Sequence, residues 1–159
     1  MIISINKKRL AISLLVPVVA GLISSLITRG DMDIYERIKK PALAPPGIVF
    51  PIAWTVLYIL MGVSLYLVWN KRGLNPDKSK AFIFFGISLF LNFIWSPVFF
   101  SLESYAAAFV ILVIMFIAVV LTVIEYSKID GIAALLQIPY LLWLLFAGYL
   151  NLAIYYLNG

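Results

Sequence analysis

Apolar residues along the chain collect in five long runs, Leu10–Thr28, Gly47–Trp69, Ala81–Phe100, Ser104–Ile124 and Ile132–Leu157, separated by short polar interruptions. At about 1.5 Å of rise per residue, each run forms a helix long enough to cross a hydrocarbon layer of about 30 Å. The pattern predicts an all-α membrane protein, a single domain over residues 1–159 built as a five-transmembrane-helix bundle. The first run follows Lys7, Lys8 and Arg9, as the apolar part of a signal peptide would. It is longer than such a segment usually is and no small-residue cleavage site follows, so it reads as a retained span. The connections Asn70–Lys80, Ser101–Glu103 and Glu125–Gly131 are short enough to make successive helices antiparallel. Arg29–Pro46 is the one long connection. Pro41, Pro45 and Pro46 lack a backbone donor and restrict φ, which predicts a stiff, extended lid rather than regular helix.

The few polar side chains within the runs repeat at helical spacing. Trp54, Tyr58 and Leu65 share a face of the second run, and Ser88, Asn92, Trp95, Ser96 and Phe99 share one of the third. Gln137, Tyr140, Trp143, Ala147 and Asn151 do so in the fifth. Polar groups facing lipid are costly, so these faces are expected to turn inward. Counted from the side of the long connection, Trp54, Asn92, Trp95 and Asn151 lie about 8–12 Å deep and Trp143 about 20 Å deep. They are therefore placed to line one hollow. Each residue alone is better explained by interhelical hydrogen bonding or space filling than by a ligand. Together they describe an aromatic cavity with a few polar groups, suited to a flat and mostly apolar ligand. On the first run, Ala20–Ser24 and Gly21–Ser25 form small-x-x-x-small pairs of the kind that join helices in a homodimer.

Composition narrows the chemistry. The chain is 64% hydrophobic and 12% charged, against about 25% charged in soluble domains. It has no Cys and no His, which excludes disulfides, thiolate or imidazole metal sites and His-based triads; no metal site is expected. The net charge of +5 resides in short loops between spans. It points to membrane lipid headgroups rather than to nucleic acid. Eight Lys and Arg on the side of the N-terminus against four on the other place that terminus in the cytoplasm.

Three blocks carry a resemblance. Tyr35 followed by KPALAPPGIVFPIAWTVLYILMG matches a Y-x-x-x-x-K-P-x-x-x-P-P-x-x-F…W-x-x-L-Y-x-x-M-G pattern. LNFIWSPVFF matches N-x-x-W-S-P-x-F-F, and PYLLWLLFAGYLN matches P-Y-x-x-W-x-x-F-A-x-x-L-N. In these blocks the chain resembles the TspO/translocator protein family of tryptophan-rich sensory and peripheral-type benzodiazepine receptor proteins. The resemblance implies a receptor or sensor in a bacterial-type cell membrane that requires no cofactor and is usually dimeric, often through the third helix, which makes Gly86 the other candidate for a dimer contact. Its ligands would be tetrapyrroles such as protoporphyrin IX or haem. The resemblance assigns Trp54, Trp143, Asn92, Trp95, Ala147 and Asn151 to the ligand pocket, to which the inward faces add Tyr58, Ser96, Phe99 and Tyr140 as binding residues, under a lid that includes Pro41, Leu43, Pro45, Pro46 and Gly47. Porphyrin propionates would reach Arg37, Lys39 and Lys40 on the lid loop. The alternatives are a light-dependent porphyrin-degrading enzyme, with Trp54 and Trp143 as its catalytic residues, and a porphyrin or sterol transporter. Ile34 and Leu43 stand where many members carry Trp. The C-terminal Tyr155–Gly159 stretch lacks the Lys or Arg of the sterol-recognition pattern, which speaks against a sterol partner.

Overall fold

The computed structural model describes residues 4–73 and 77–159. It is helical, with no strand among the described residues. Five helices are long and apolar enough to span a membrane. In chain order the elements are α1 (Lys7–Thr28), the short α2 (Ile34–Arg37), α3 (Val49–Asn70), α4 (Ser79–Ser96) continued by a π-helical turn (Pro97–Ser101), α5 (Tyr105–Ser127) and α6 (Gly131–Asn158). The helix α2 falls within the long first connection, ahead of its proline segment. Helix α1 starts three residues before its apolar run, because the side chain of Asn6 accepts the Arg9 N–H at 3.0 Å and caps the first turn. Asp130 likewise accepts from the N–H groups of Ile132 and Ala133 and starts α6.

The spans pack in the ring order α1–α3–α6–α5–α4 and back to α1. Helices α3 and α4, consecutive spans in the sequence, are not one of its main packing pairs. Instead α1 lies against both, leaving a space between them. The apolar core, with Met61, Leu112, Met115, Val119 and Leu144 fully or nearly fully buried, fills the half of the ring made by α3, α5 and α6 with the start of α4.

Helix α1 approaches its neighbours through small residues. A Cβ at Gly62 would stand 2.8 Å from Leu14 Cα and 2.9 Å from the Ser13 carbonyl, so α1 and α3 touch backbone to backbone there. Pro97 is the second determinant. It has no N–H to give the Phe93 carbonyl four residues earlier, and Ser24 of α1 donates to that oxygen instead at 3.0 Å. Beyond Pro97 the helix widens, with the Leu102 N–H reaching the Pro97 carbonyl at 3.0 Å.

These contacts correct one sequence expectation. Gly21 and Ser24 do not form an outward dimer face: Gly21 lies against the Tyr58 ring of the same chain and Ser24 against α4, while Ser25 borders the space between the helices. Their small size is used within the protomer. Gly86 does lie on the exterior, with open space around it.

The Ser24–Phe93 bond leads to a stability prediction. Ser24→Ala should lower unfolding stability in detergent by about 1 kcal/mol, because a buried carbonyl loses its donor. Restoring the N–H with Pro97→Ala in the same chain should recover most of that loss in thermal unfolding.

Candidate functional site

The space enclosed by α1, α3, α4 and α6 is a cavity of about 340 Å³, near the lower end of the about 300–1,000 Å³ usual for ligand sites. Eight of the expected binding residues border it: Trp54, Tyr58, Asn92, Trp95, Ser96, Phe99, Ala147 and Asn151. The other two do not. Tyr140 and Trp143 stand behind Trp54, which meets their rings edge-on at 6.1 and 6.2 Å.

Two aromatic walls result from residues one helical turn apart. On α3, Trp54 stacks on Tyr58 with centroids 5.6 Å apart; on α4 and its π turn, Trp95 stacks on Phe99 at 5.1 Å. The amides behind these walls have protein partners. Tyr58 donates to Asn92 Oδ1 at 2.9 Å, Asn92 Nδ2 donates to Tyr140 Oη at 3.0 Å, and Tyr140 donates to Met115 Sδ at 3.2 Å. This directional chain joins α3, α4, α6 and α5. In parallel, Trp95 Nε1 donates to Asn151 Oδ1 at 3.1 Å and Asn151 Nδ2 to the Tyr105 carbonyl at 2.8 Å. Asn92 and Asn151 are thus braces that hold the aromatic planes. A ligand would meet ring faces, with hydroxyls such as Ser25 and Ser96 at the edges. Trp143 Nε1 is buried without an acceptor and has no part in this network.

The lid residues Pro41, Leu43, Pro45, Pro46 and Gly47 are not on the cavity wall; Leu43 is 70% exposed. The roof is made by Met32, Tyr35 and Phe50. Buried Tyr35 packs edge-on to Phe50 with centroids 5.0 Å apart and donates to the Pro45 carbonyl at 2.8 Å. The proline segment therefore acts from above, by fixing Tyr35. The loop is fastened by Asn158, which accepts from the Lys39 N–H and donates to its carbonyl, both at 2.9 Å, and by a 2.6 Å bond from Ser101 to Asp31. Of the loop cations expected to meet a ligand carboxylate, Arg37 pairs with Asp33 and Lys40 with Glu36, each at 3.6 Å, the first pair exposed and the second with Lys40 half-buried. Such pairs contribute about 0–1 kcal/mol and separate readily.

The sequence reading missed Phe50 and the α1 wall. Phe50 precedes Trp54 by one turn, so the Trp54–Tyr58 face extended upward would have found it. Gly21, Ser24, Ser25 and Thr28 recur at spacings of three and four, a signal visible in the sequence but assigned to dimerisation. Gly21 is where the Tyr58 ring crosses α1, and an added Cβ would collide with it. Gly21→Ala should therefore displace Tyr58, strain its bond to Asn92 and lower stability by about 1–3 kcal/mol. In a Tyr58→Leu background the same change should cost markedly less, as a double-mutant thermal unfolding cycle would show.

Comparison with known proteins agrees with this architecture. The TspO/MBR family model matches residues 13–157. The chain is 39% identical to the tryptophan-rich protein TspO of Archaeoglobus fulgidus, over 97% of this chain and 99% of that one. It is 38% identical to the TspO of Chlorobaculum tepidum over 78% of each chain. The human translocator protein is 32% identical, over 89% of this chain and 85% of its own. A family match covering nearly all five spans, with relatives similar over most of their length, establishes that this chain is an integral multi-pass membrane protein of the TspO/MBR family.

Proposed function

We propose that the protein is a membrane receptor for tetrapyrroles, protoporphyrin IX or haem, bound in the cavity under Tyr35. The observation that carries this reading is the pair of aromatic walls, Trp54–Tyr58 and Trp95–Phe99, held at fixed orientation by amides that are otherwise engaged. Such walls favour a flat conjugated ring over a ligand rich in hydrogen-bonding groups. The wall also includes the exposed α1 residues Leu22 and Ser25, so a macrocycle larger than the hollow could lie partly toward lipid. Its propionates would meet the loop at Lys39, which stands outside the loop's ion pairs, and at Arg37 and Lys40 on opening of theirs. With the greater number of Lys and Arg at the opposite end, the reading places the N-terminus in the cytoplasm and the cavity mouth on the far side of a bacterial-type cell membrane.

Binding is tested by titrating protoporphyrin IX, haem and cholesterol into purified protein with Trp emission as the readout. Trp54→Ala should weaken protoporphyrin binding about tenfold, from the loss of a stacking face. Trp143→Phe, one layer behind, should change it less than about threefold. Unaltered affinity in Trp54→Ala would remove this site from consideration.

A second reading, light-dependent breakdown of bound porphyrin, is favoured by the Trp54–Trp143 contact. The two indoles form a continuous aromatic path from the cavity wall into the bundle, able to exchange an electron with an excited ligand. The oxidant would be dioxygen, since the wall has no acid, base or thiol of the usual catalytic kind. Illumination of the protoporphyrin complex in air should then yield a discrete product spectrum that Trp143→Phe diminishes. Bleaching at the rate of free porphyrin would restrict the protein to binding.

A further inference from the structure

The bundle end remote from the cavity carries all of the excess charge. Lys7, Lys8, Arg9, Lys71, Arg72, Lys78, Lys80 and Lys128 lie there with only Asp77, Glu125 and Asp130. At the cavity end, Arg29, Arg37, Lys39 and Lys40 are balanced by Asp31, Asp33, Glu36 and Glu103. The three carboxylates of the basic end are already engaged. Asp130 pairs with Lys71 at 3.0 Å, Glu125 with Lys128 at 2.7 Å, and Asp77 accepts the Ser79 N–H at 2.9 Å. Among the described residues no ion pair includes Arg9 or Lys78, and residues 1–3 and 74–76 contain no Asp or Glu that could supply one.

These two cations are nevertheless held together. Arg9 Nη1 lies 3.4 Å and Lys78 Nζ 3.3 Å from a single oxygen, the Trp69 carbonyl, and Lys78 also donates to the Lys71 carbonyl at 2.7 Å. The Arg9 guanidinium sits over the Trp69 indole, 5.5 Å from its centroid. Capping the last carbonyls of α3 uses one Arg9 N–H and two of Lys78. It leaves two like charges side by side with donors to spare. Partial burial, and then the charge of Arg9, push the Lys78 ammonium below the usual lysine value. An anion would relieve that repulsion. The level is also appropriate, because Trp69 lies in the last turn of the membrane-spanning α3, the level at which Trp side chains favour the headgroup interface.

We propose that Arg9 and Lys78, backed by Trp69, bind one phosphate group of an anionic lipid headgroup at the end of the bundle opposite the cavity. The chemistry recognised is a phosphate ester between a forked guanidinium and a point-charge ammonium. A lipid is the favoured source because the site lies at the edge of the apolar spans. It is independent of what occupies the cavity.

The test is a native mass spectrometry titration of purified protein in detergent with phosphatidylglycerol and, separately, phosphatidylcholine. Wild type should retain phosphatidylglycerol in preference. Lys78→Gln and Arg9→Gln should each weaken it about fivefold, the attraction of one cation near an anionic surface. Lys128→Gln, at the same end but paired with Glu125, should leave it within about twofold and controls for bulk charge. If Arg9→Gln fails to fold for lack of its α3 cap, Lys78→Gln carries the comparison alone. In a parallel lipid-free arm, thermal protection by inorganic phosphate that Lys78→Gln abolishes would uphold the site but assign it to soluble phosphate esters. Equal retention of the two lipids with no effect of inorganic phosphate, or an equal loss in Lys78→Gln and Lys128→Gln, would overturn the proposal.

Discussion

A polar group inside a hydrocarbon layer has no water to bind, so each one buried among these helices must find a partner on a neighbouring helix. That constraint organises the molecule. Tyr58, Asn92, Tyr140 and Met115 meet it by donating in sequence across α3, α4, α6 and α5, and Trp95 and Asn151 meet it with the Tyr105 carbonyl. Because α3 and α4 are joined through a side-chain bridge rather than by packing along their length, a hollow persists between them. The same bonds that keep the space open orient the rings that face it.

Proline enters this scheme as a source of unpaired carbonyls. Pro97 leaves the Phe93 oxygen without its usual helical donor and Ser24 supplies one, which fixes α1 against α4 beside the cavity. The wider turn that follows carries Phe99 and Phe100 to the cavity wall. In the loop above, the prolines work differently: the Pro45 carbonyl accepts from Tyr35 and so sets the ring that roofs the site.

The two ends of the bundle are electrostatically unlike. The cavity end is balanced in charge and two of its four cations, Arg37 and Lys40, are paired within α2 and the loop after it, so the roof attracts an anionic ligand only weakly from a distance. The opposite end is basic, and two of its cations converge on one carbonyl with no carboxylate between them. A charge-balanced mouth over an aromatic hollow and a basic opposite end are what the proposed apolar ligand and the proposed anionic lipid would each meet.

The sequence by itself determined the number of spans, their approximate limits and the inward faces of α3, α4 and α6, because the cost of polar groups in lipid leaves their helical spacing with one reading. It also carried the blocks that identify the family. Tertiary structure decided which inward residues reach the hollow. Spacing puts Trp54 and Trp143 on facing sides of two helices but does not say that Trp54 stands in front of Trp143, since that depends on how far and at what rotation α6 lies behind α3. The role of Gly21 and Ser24 was undecided for the same reason: small residues permit close approach without specifying whether the partner is another chain or, as here, Tyr58 and Phe93 of the same one. The convergence of Arg9 and Lys78, sixty-nine positions apart, exists only because the start of α1, the end of α3 and the start of α4 meet at one level.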